Sequence, residues 1–522
     1  MEQRSKWGTN LGFLLAAIGS AIGLGNIWRF PYVAYENGGG AFLIPYFIAL
    51  FTAGIPILML EFALGHHKEA SAPKAFRHID AKWEWLGWWA VLFVMFGIQL
   101  YYIVIIGWCG NYMFFSLTQA WGDDPNLFFF TEFLQVPFDH AAEAPDGEQV
   151  WRIAGFRWPI AIAVLVIWLI NWSIAYGGVQ RGIERAAKVL MPMLFVITLV
   201  IIGWALTLEG ASVGIKKYVK PDWEKIMDLN VWIAAYGQIF FSLSLGFGIM
   251  IAYSSYLERK ANIFKNSLIV GFSNSSYEVL AGFGVFSILG YMATTQNRPI
   301  TEVVSDGIGL AFVAYPKAIS ILPGGRIFGF LFFLLLIVAG ISSTISIIEA
   351  FTSAMLDKFS LPRKTVITGI CIIGFCGSML FATNVGLLWL DIVDHFLNHY
   401  GLITVGIVEA LVIGWLYRTD KLKAHIVSNL GLSGTHHKIF NYVVLQLWMY
   451  CIRFITPVAL GIAIVHSLIA ELTTPYGGFP VSGVIILGVG WLLLTHIVAF
   501  GLSGLPWHGK TPAKDAPDAT SA

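Results

Sequence analysis

The sequence predicts an all-α polytopic membrane protein of about twelve transmembrane helices, and three observations carry that prediction. Of 522 residues, 57% are hydrophobic and only 12% charged, far from the balance of a soluble domain. The apolar residues fall into runs of about 20 or more, the length a helix needs to cross a hydrocarbon layer roughly 30 Å thick. Basic residues alternate in density from one inter-run segment to the next, as they do when loops alternate between two sides of a membrane. A formal net charge of +1 gives no general attraction to nucleic acid or to an acidic partner.

In chain order, spans 1 to 6 are expected at 9–36, 40–65, 86–119, 158–176, 187–208 and 231–256. Spans 7 to 12 follow at 265–290, 326–356, 364–382, 386–417, 442–470 and 481–505. Arg4 and Lys6 before span 1 imitate a secretory signal, but apolar character resumes at once in GGGAFLIPYFIALFTAGIPILMLEFALG, with no polar mature start. Twelve is even, so both termini share a side. Taken as cytoplasmic, that side holds 21 of the 32 Lys and Arg; the other side has nine and acidic loops such as WGDDPNLFFFTEF. The positive-inside rule thus places both termini in the cytoplasm, with the inner cell membrane as the expected location. Segments 120–157, 209–230 and 291–325 on the outer side are long, which points to lids or binding elements. The polar tail, 506–522, ends in GKTPAKDAPDATSA and is expected to be disordered. Cys109, Cys371, Cys376 and Cys451 lie within apolar runs and read as packed or lipid-facing thiols.

GLPWHGKT at 504–511 satisfies the phosphate-loop pattern, but a membrane span precedes it where the motif needs a strand, so the match is accidental. No H-E-x-x-H or G-x-S-x-G occurs, and no catalytic constellation supports an enzyme. The informative motif is the interrupted span. Span 1 reads GSAIGLGNIWRFPY over 19–32 and span 6 reads SLGFG over 244–248. Each glycine costs up to about 1 kcal/mol in a helix interior, and an arginine at mid-bilayer about 2.5 to 3.5. Close helix packing accounts for glycines alone. It does not require Asn26, Ser242 and Ser244, and unwound backbone at membrane depth is tolerated only against protein or a water-filled cavity. Spans 1 and 6 therefore read as discontinuous helices around a central site. They stand five apart, as in a five-plus-five inverted repeat. The expected divisions are 1–208 (spans 1–5), 209–417 (spans 6–10), 418–505 (spans 11–12) and the tail.

GNIWRFPY, ENGGGAFLIPY, GIERAAKVLMP, GQIFFSLSLGFG and AGISSTISI resemble signatures of the neurotransmitter:sodium symporters, especially their bacterial amino-acid transporting branch. The resemblance runs from Arg4 to about the end of span 10 and more loosely through spans 11 and 12. It implies a sodium-coupled symporter that imports a neutral, hydrophobic amino acid by alternating access. The alternative is an amino-acid sensor or binding protein on the same fold without net transport. Two sodium ions are implied as coupling ions, with no other cofactor and with the lipid bilayer as surroundings. The oligomeric state is left open, a homodimer included.

By that resemblance, the first sodium ion is held by the carbonyls of Ala21 and Ser242, the side chains of Asn26, Ser242 and Asn274, and the substrate carboxylate. The second lies between the carbonyls of Gly19, Ile22 and Ala339 and the hydroxyls of Ser342 and Ser343. Oxygen donors of this kind suit a hard cation. Gly23, where monoamine transporters of the family have aspartate, leaves room for a carboxylate that Tyr102 and the amides of Leu24 and Gly25 bind. Ile98, Phe241, Ser244, Phe247 and Ile347 line the side-chain cavity, and Ala21, Ser242 and Ser343 also border the substrate. Arg29 and Asp394 match an outer gate, with Tyr102 and Phe247 as an inner lid; Arg4 and Asp357 match an inner gate beside Trp7. Glu278 stands where chloride-dependent relatives usually have serine, which implies chloride-independent transport. Glu61 matches a residue that caps the unwound backbone, and Gly182 and Pro192 match a motif for local unwinding of span 5.

Overall fold

The computed structural model describes residues 5–137, 149–300, 307–417, 419–430, 440–474 and 476–508. Among them the chain is helical apart from turns and two isolated β-bridges, Gly39 with Pro221 and Phe156 with Thr383. Among the described residues ten helices are long and apolar enough to cross a membrane. They are span 2 (Gly40–Lys68), span 3 (Ala81–Thr118), span 4 (Trp158–Tyr176), span 5 (Val179–Leu206) and span 7 (Ile263–Gln296). Span 8 (Gly325–Phe359), span 9 (Arg363–Ala382), span 10 (Gly386–Leu416), span 11 (Phe440–Gly478) and span 12 (Val481–Gly504) complete the set.

The other two expected spans are broken: the two pieces of span 1 together are long and apolar enough to cross, and those of span 6 are shorter. Span 1 consists of 1a (Asn10–Ala21) and 1b (Leu24–Glu36), bent by 52°. Span 6 consists of 6a (Leu229–Ser242) and 6b (Ile249–Ser254). The cause of each break is local. Ile22 and Gly23 are extended, which ends the hydrogen-bond ladder of 1a after Ala21. Between 6a and 6b, Gly246 (φ +73°) and Gly248 (φ +68°) take the left-handed conformation, which costs glycine little because it has no Cβ. Ser244 takes it too (φ +53°), at about 1–3 kcal/mol, a strain typical of functional sites.

Spans 3 and 8 form the centre of the bundle, with 89% and 72% of their apolar windows buried, whereas spans 11 and 12 reach only 22% and 28% and form its periphery. Parts of the segments expected on the outer side are helical: a helix at Ala211–Val219 lies on span 7, and a helix at Gly307–Ile321 sets Phe312 against Trp28 and Trp108. Several boundaries differ from the hydropathy reading. Span 5 starts at Val179 rather than 187, span 3 at Ala81 rather than 86, and span 7 runs to Gln296. Hydropathy registers apolar windows, while the hydrogen-bond ladder continues through polar residues at the membrane surface. The four cysteines are free thiols, and Cys376 is exposed.

At the end of the bundle that carries both described termini, hereafter the terminal face, a buried carboxylate gathers distant segments. Glu84, 1% exposed, accepts hydrogen bonds from Lys358 Nζ (2.5 Å), Arg77 Nη1 (2.7 Å), Trp88 Nε1 (3.0 Å) and Trp507 Nε1 (3.0 Å). Lys358, fully buried, also donates to the carbonyls of Leu502 and Ser503, and its own carbonyl accepts from His508 N. The expectation of a disordered tail from 506 therefore fails for Trp507 and His508: a buried ion pair needs every donor and acceptor matched, and the chain end supplies some of them. Residues 509–522 lie outside the described residues. Glu84→Ala leaves Lys358 buried without its counter-charge and should destabilise the protein by about 3–5 kcal/mol, read as a clear fall in melting temperature in detergent.

Candidate binding site at the two helix breaks

The breaks in spans 1 and 6 face each other, and side chains meet the backbone groups they release. Asn26 Oδ1 accepts from Gly23 N (2.8 Å), and the Tyr102 hydroxyl accepts from Leu24 N (2.9 Å). In span 6, Glu61 Oε1 accepts from Gly246 N (2.7 Å). That bond matches the capping role expected of Glu61. Space at 23 is tight: a Cβ there would stand 2.8 Å from the Tyr102 hydroxyl and 3.2 Å from Ser343 Oγ, so a larger residue would have to displace one of these side chains.

Two clusters of oxygen donors flank the span 1 break. In the first, Asn26 Nδ2 donates to Asn274 Oδ1 (2.9 Å) and lies 3.5 Å from Ser242 Oγ, and Asn274 Nδ2 donates to Ser242 Oγ. The three side chains predicted for the first ion are thus mutually bonded, and all are almost fully buried. In the second, Ser343 Oγ lies 3.4 Å from the Gly19 carbonyl, 3.3 Å from that of Ser20 and 3.4 Å from that of Ala339. Ser342 Oγ donates to the Ala339 carbonyl (2.8 Å), and Ile22 is the extended residue at the break. The donors are amide, hydroxyl and carbonyl oxygens, the set a hard monovalent cation accepts without a buried protein charge.

Between the breaks lies a small cavity lined by Gly23, Gly25, Tyr102, Phe241, Phe247 and Ile347, with Ala21, Asn26, Ile98, Ser242, Ser244 and Ser343 completing the predicted wall. Ser20, Ile249 and Ser346 also line it and were not predicted. The Ser20 and Ser346 hydroxyls bond to each other (2.7 Å), and Ser244 Oγ donates to the Ser20 carbonyl (3.1 Å). Serines in a GSAIG or STISI string give no sign of facing each other across two spans. No acid or base lines the cavity. Leu24, predicted beside the substrate, does not line the cavity: its side chain is fully buried and its amide donates to the Tyr102 hydroxyl.

Glu278 sits one layer behind. It accepts from the Tyr46 hydroxyl and from Gln238 Nε2 (2.7 Å), and Ser242 also bonds to it. Tyr46 bonds to Ser275 as well (2.9 Å). Ser242 thereby joins the Asn26–Asn274 cluster to the carboxylate. The outer pair is not in direct contact: Arg29 rests on the ring of Phe241 (4.8 Å to the centroid), and Asp394 accepts from Tyr101 and from Asn398 Nδ2 (2.8 Å). Each partner is engaged elsewhere, and among the described residues no ion pair links them.

At the terminal face, Asp357 accepts from Ser71 N (2.8 Å) and lies 3.8 Å from Lys74 Nζ; Arg4, its expected partner, lies outside the described residues. Trp7 is buried and donates from Nε1 to the Tyr253 carbonyl (2.8 Å). Gly182 falls in a wide turn at the start of span 5, and Pro192 lies inside the helix that follows. Glu184 of that turn accepts from Gly8 N (2.7 Å) and Thr9 Oγ1 (2.8 Å), tying 1a to span 5. Glu184 stands in the GIERAAK motif, but its reach across the bundle is invisible in sequence.

The sequence matches the Sodium:neurotransmitter symporter family over residues 4–136 and 122–502. It is 43% identical over 484 residues to an uncharacterized sodium-dependent transporter of Methanocaldococcus jannaschii, covering 92% of this chain and 94% of the relative. It is also similar to the sodium- and chloride-dependent GABA transporter 2 of Bos taurus (31% identical) and of Homo sapiens (30%), each over 94% of this chain and 84% of the relative.

The geometry makes a direct prediction about the break in span 1. Tyr102→Phe removes the acceptor of the Leu24 amide and should cost about 1–3 kcal/mol of stability. A lower melting temperature with unchanged helical circular dichroism is the expected result.

Proposed function

Because this chain belongs to the sodium:neurotransmitter symporter family, and so is a sodium-dependent transporter and not an enzyme, we propose that it imports a neutral, hydrophobic amino acid with two sodium ions. One observation carries the substrate class: the cavity between the helix breaks is lined by the span 1 break at Gly23 and Gly25, by Tyr102 and small polar side chains, and by the apolar Ile98, Phe241, Phe247 and Ile347, with no acid or base in its wall. A zwitterion fits it. A charged substrate side chain would lie there without a counter-charge, which is costly at low dielectric.

The residues then act as follows. The Gly25 amide and the Tyr102 hydroxyl orient the carboxylate, and the Leu24 amide acts through Tyr102, whose hydroxyl accepts from Leu24 N and keeps a hydrogen to donate. The carboxylate and the oxygens of Ala21, Asn26, Ser242 and Asn274 share the first sodium ion. Removing either ligand leaves the other partly unsatisfied, which makes the coupling reciprocal. Gly19, Ile22, Ala339, Ser342 and Ser343 take the second ion and so connect span 8 to span 1. Two transported charges at about 2.3 kcal/mol each per 100 mV support accumulation on the order of a thousandfold. Arg29 and Asp394 close the outer path, and Asp357 with Arg4 closes the inner one at the terminal face, which we assign to the cytoplasm. Spans 1–5 and 6–10 serve as inverted halves with the site at their junction.

Glu278 supplies a fixed negative charge behind Ser242, so transport proceeds without chloride. The words "chloride-dependent" in the names of the GABA transporters describe those proteins. Uptake of labelled leucine, alanine, tryptophan or GABA into proteoliposomes separates the substrate classes. The expected result is uptake of a neutral apolar amino acid that stops when potassium replaces sodium and persists when gluconate replaces chloride. Undiminished uptake without sodium would refute the coupling. Asn26→Ala should abolish sodium-dependent substrate binding in a protein that still inserts and folds. Glu278→Ser should make uptake depend on chloride.

A further inference from the structure

Away from the cavity, three histidines meet at the terminal face. His66 and His67 end span 2, and His425 lies on a short helix at Thr419–Ser428, between spans 10 and 11. His66 Nδ1 stands 2.9 Å from His425 Nε2, and the other nitrogen of His66, Nε2, stands 2.9 Å from the Glu258 carbonyl just beyond 6b. A carbonyl only accepts, so His66 Nε2 carries the hydrogen, and in the neutral ring Nδ1 presents a lone pair toward His425. The ring of His67 lies 4.8 Å from that of His425.

We propose that His66 Nδ1 and His425 Nε2 form a binding site for a divalent transition metal of the zinc class. The backbone bond on the far nitrogen of His66 is the arrangement that orients histidine ligands in metal sites. Zinc–nitrogen bonds of about 2.0–2.1 Å at a tetrahedral angle set two donors roughly 3.3 Å apart. The present 2.9 Å needs to open by a few tenths of an ångström, with both rings turning to aim a lone pair at the ion and His425 moving its hydrogen to Nδ1. Among the described residues no group of three or more metal-binding side chains is assembled, so the site has two protein ligands, and solvent completes the coordination. His66 is buried, while His67 and His425 are partly exposed, which opens the pair to the aqueous side. The surrounding charges are mixed: Glu69 is paired with Arg259 (2.9 Å), and Lys68 lies over Tyr417. A bound ion would tie the end of span 2 to the segment between spans 10 and 11 and, through Glu258, to the end of span 6.

The test is calorimetric titration of the full chain, purified through a histidine-free tag, with zinc chloride. One saturable site per chain is expected. His425→Gln keeps a donor for His66 Nδ1 and should preserve the melting temperature while lowering zinc affinity at least about tenfold, since even loss of an outer-shell partner costs 10–100-fold. His508→Gln should leave binding unchanged. Absence of saturable binding, or an affinity that survives His425→Gln, would overturn the site. These readouts measure binding directly and stand apart from transport. Slowed uptake when zinc is added on the terminal face is the further consequence expected if the transport reading holds.

Discussion

Backbone groups at membrane depth have no water to bond to, and a helix that stops there exposes them. Everything about this molecule's centre follows from how spans 1 and 6 meet that constraint. At the first break Asn26 takes Gly23 N and Tyr102 takes Leu24 N; at the second, Glu61 takes Gly246 N. Each unsatisfied group would cost several kcal/mol in hydrocarbon, so these side chains are conditions for the breaks to exist. The same residues border the cavity, which explains why structure and binding are hard to separate here. Asn26 ends a helix gap and stands among the oxygens assigned to an ion.

Ser242 is the other shared point. Its hydroxyl bonds to Asn274 and reaches Glu278, so the oxygen cluster at the break and the buried carboxylate behind it form one network. Tyr46 and Gln238, from spans 2 and 6a, hold that carboxylate in place. A fixed charge one residue removed from a cation's ligands influences the cation without occupying its coordination sphere. This arrangement is the physical content of the chloride-independence proposal.

The terminal face is held differently. Glu84, Lys358 and Trp507 knot spans 3, 8 and the end of span 12 together, and Glu184 holds the start of 1a against span 5. The first is buried and satisfied on all sides, suited to a rigid scaffold. The second relies on Glu184, itself buried but bonded to the exposed Gly8, Thr9 and Lys188, partners that water can reach and replace. A segment tied by replaceable bonds is better placed to move than one tied by a buried ion pair.

Much of this was legible in the linear chain. The long apolar spans, the two interruptions and the residues Asn26, Ser242 and Asn274 could be named because bilayer thickness, helix propensity and family motifs act locally, and the structure brings those three side chains together. Span starts shifted where polar residues continue a helix that hydropathy cannot see, as from Val179 to Glu184. What stayed hidden was every partnership across the bundle: Ser20 with Ser346, Glu84 with Lys358 and Trp507, His66 with His425. By itself the sequence determined that the chain crosses a membrane, where its helices break and which oxygens stand at the breaks, since those properties depend on neighbours along the chain. Only the tertiary structure decided which distant side chain satisfies each buried group, because that choice depends on packing between segments hundreds of residues apart.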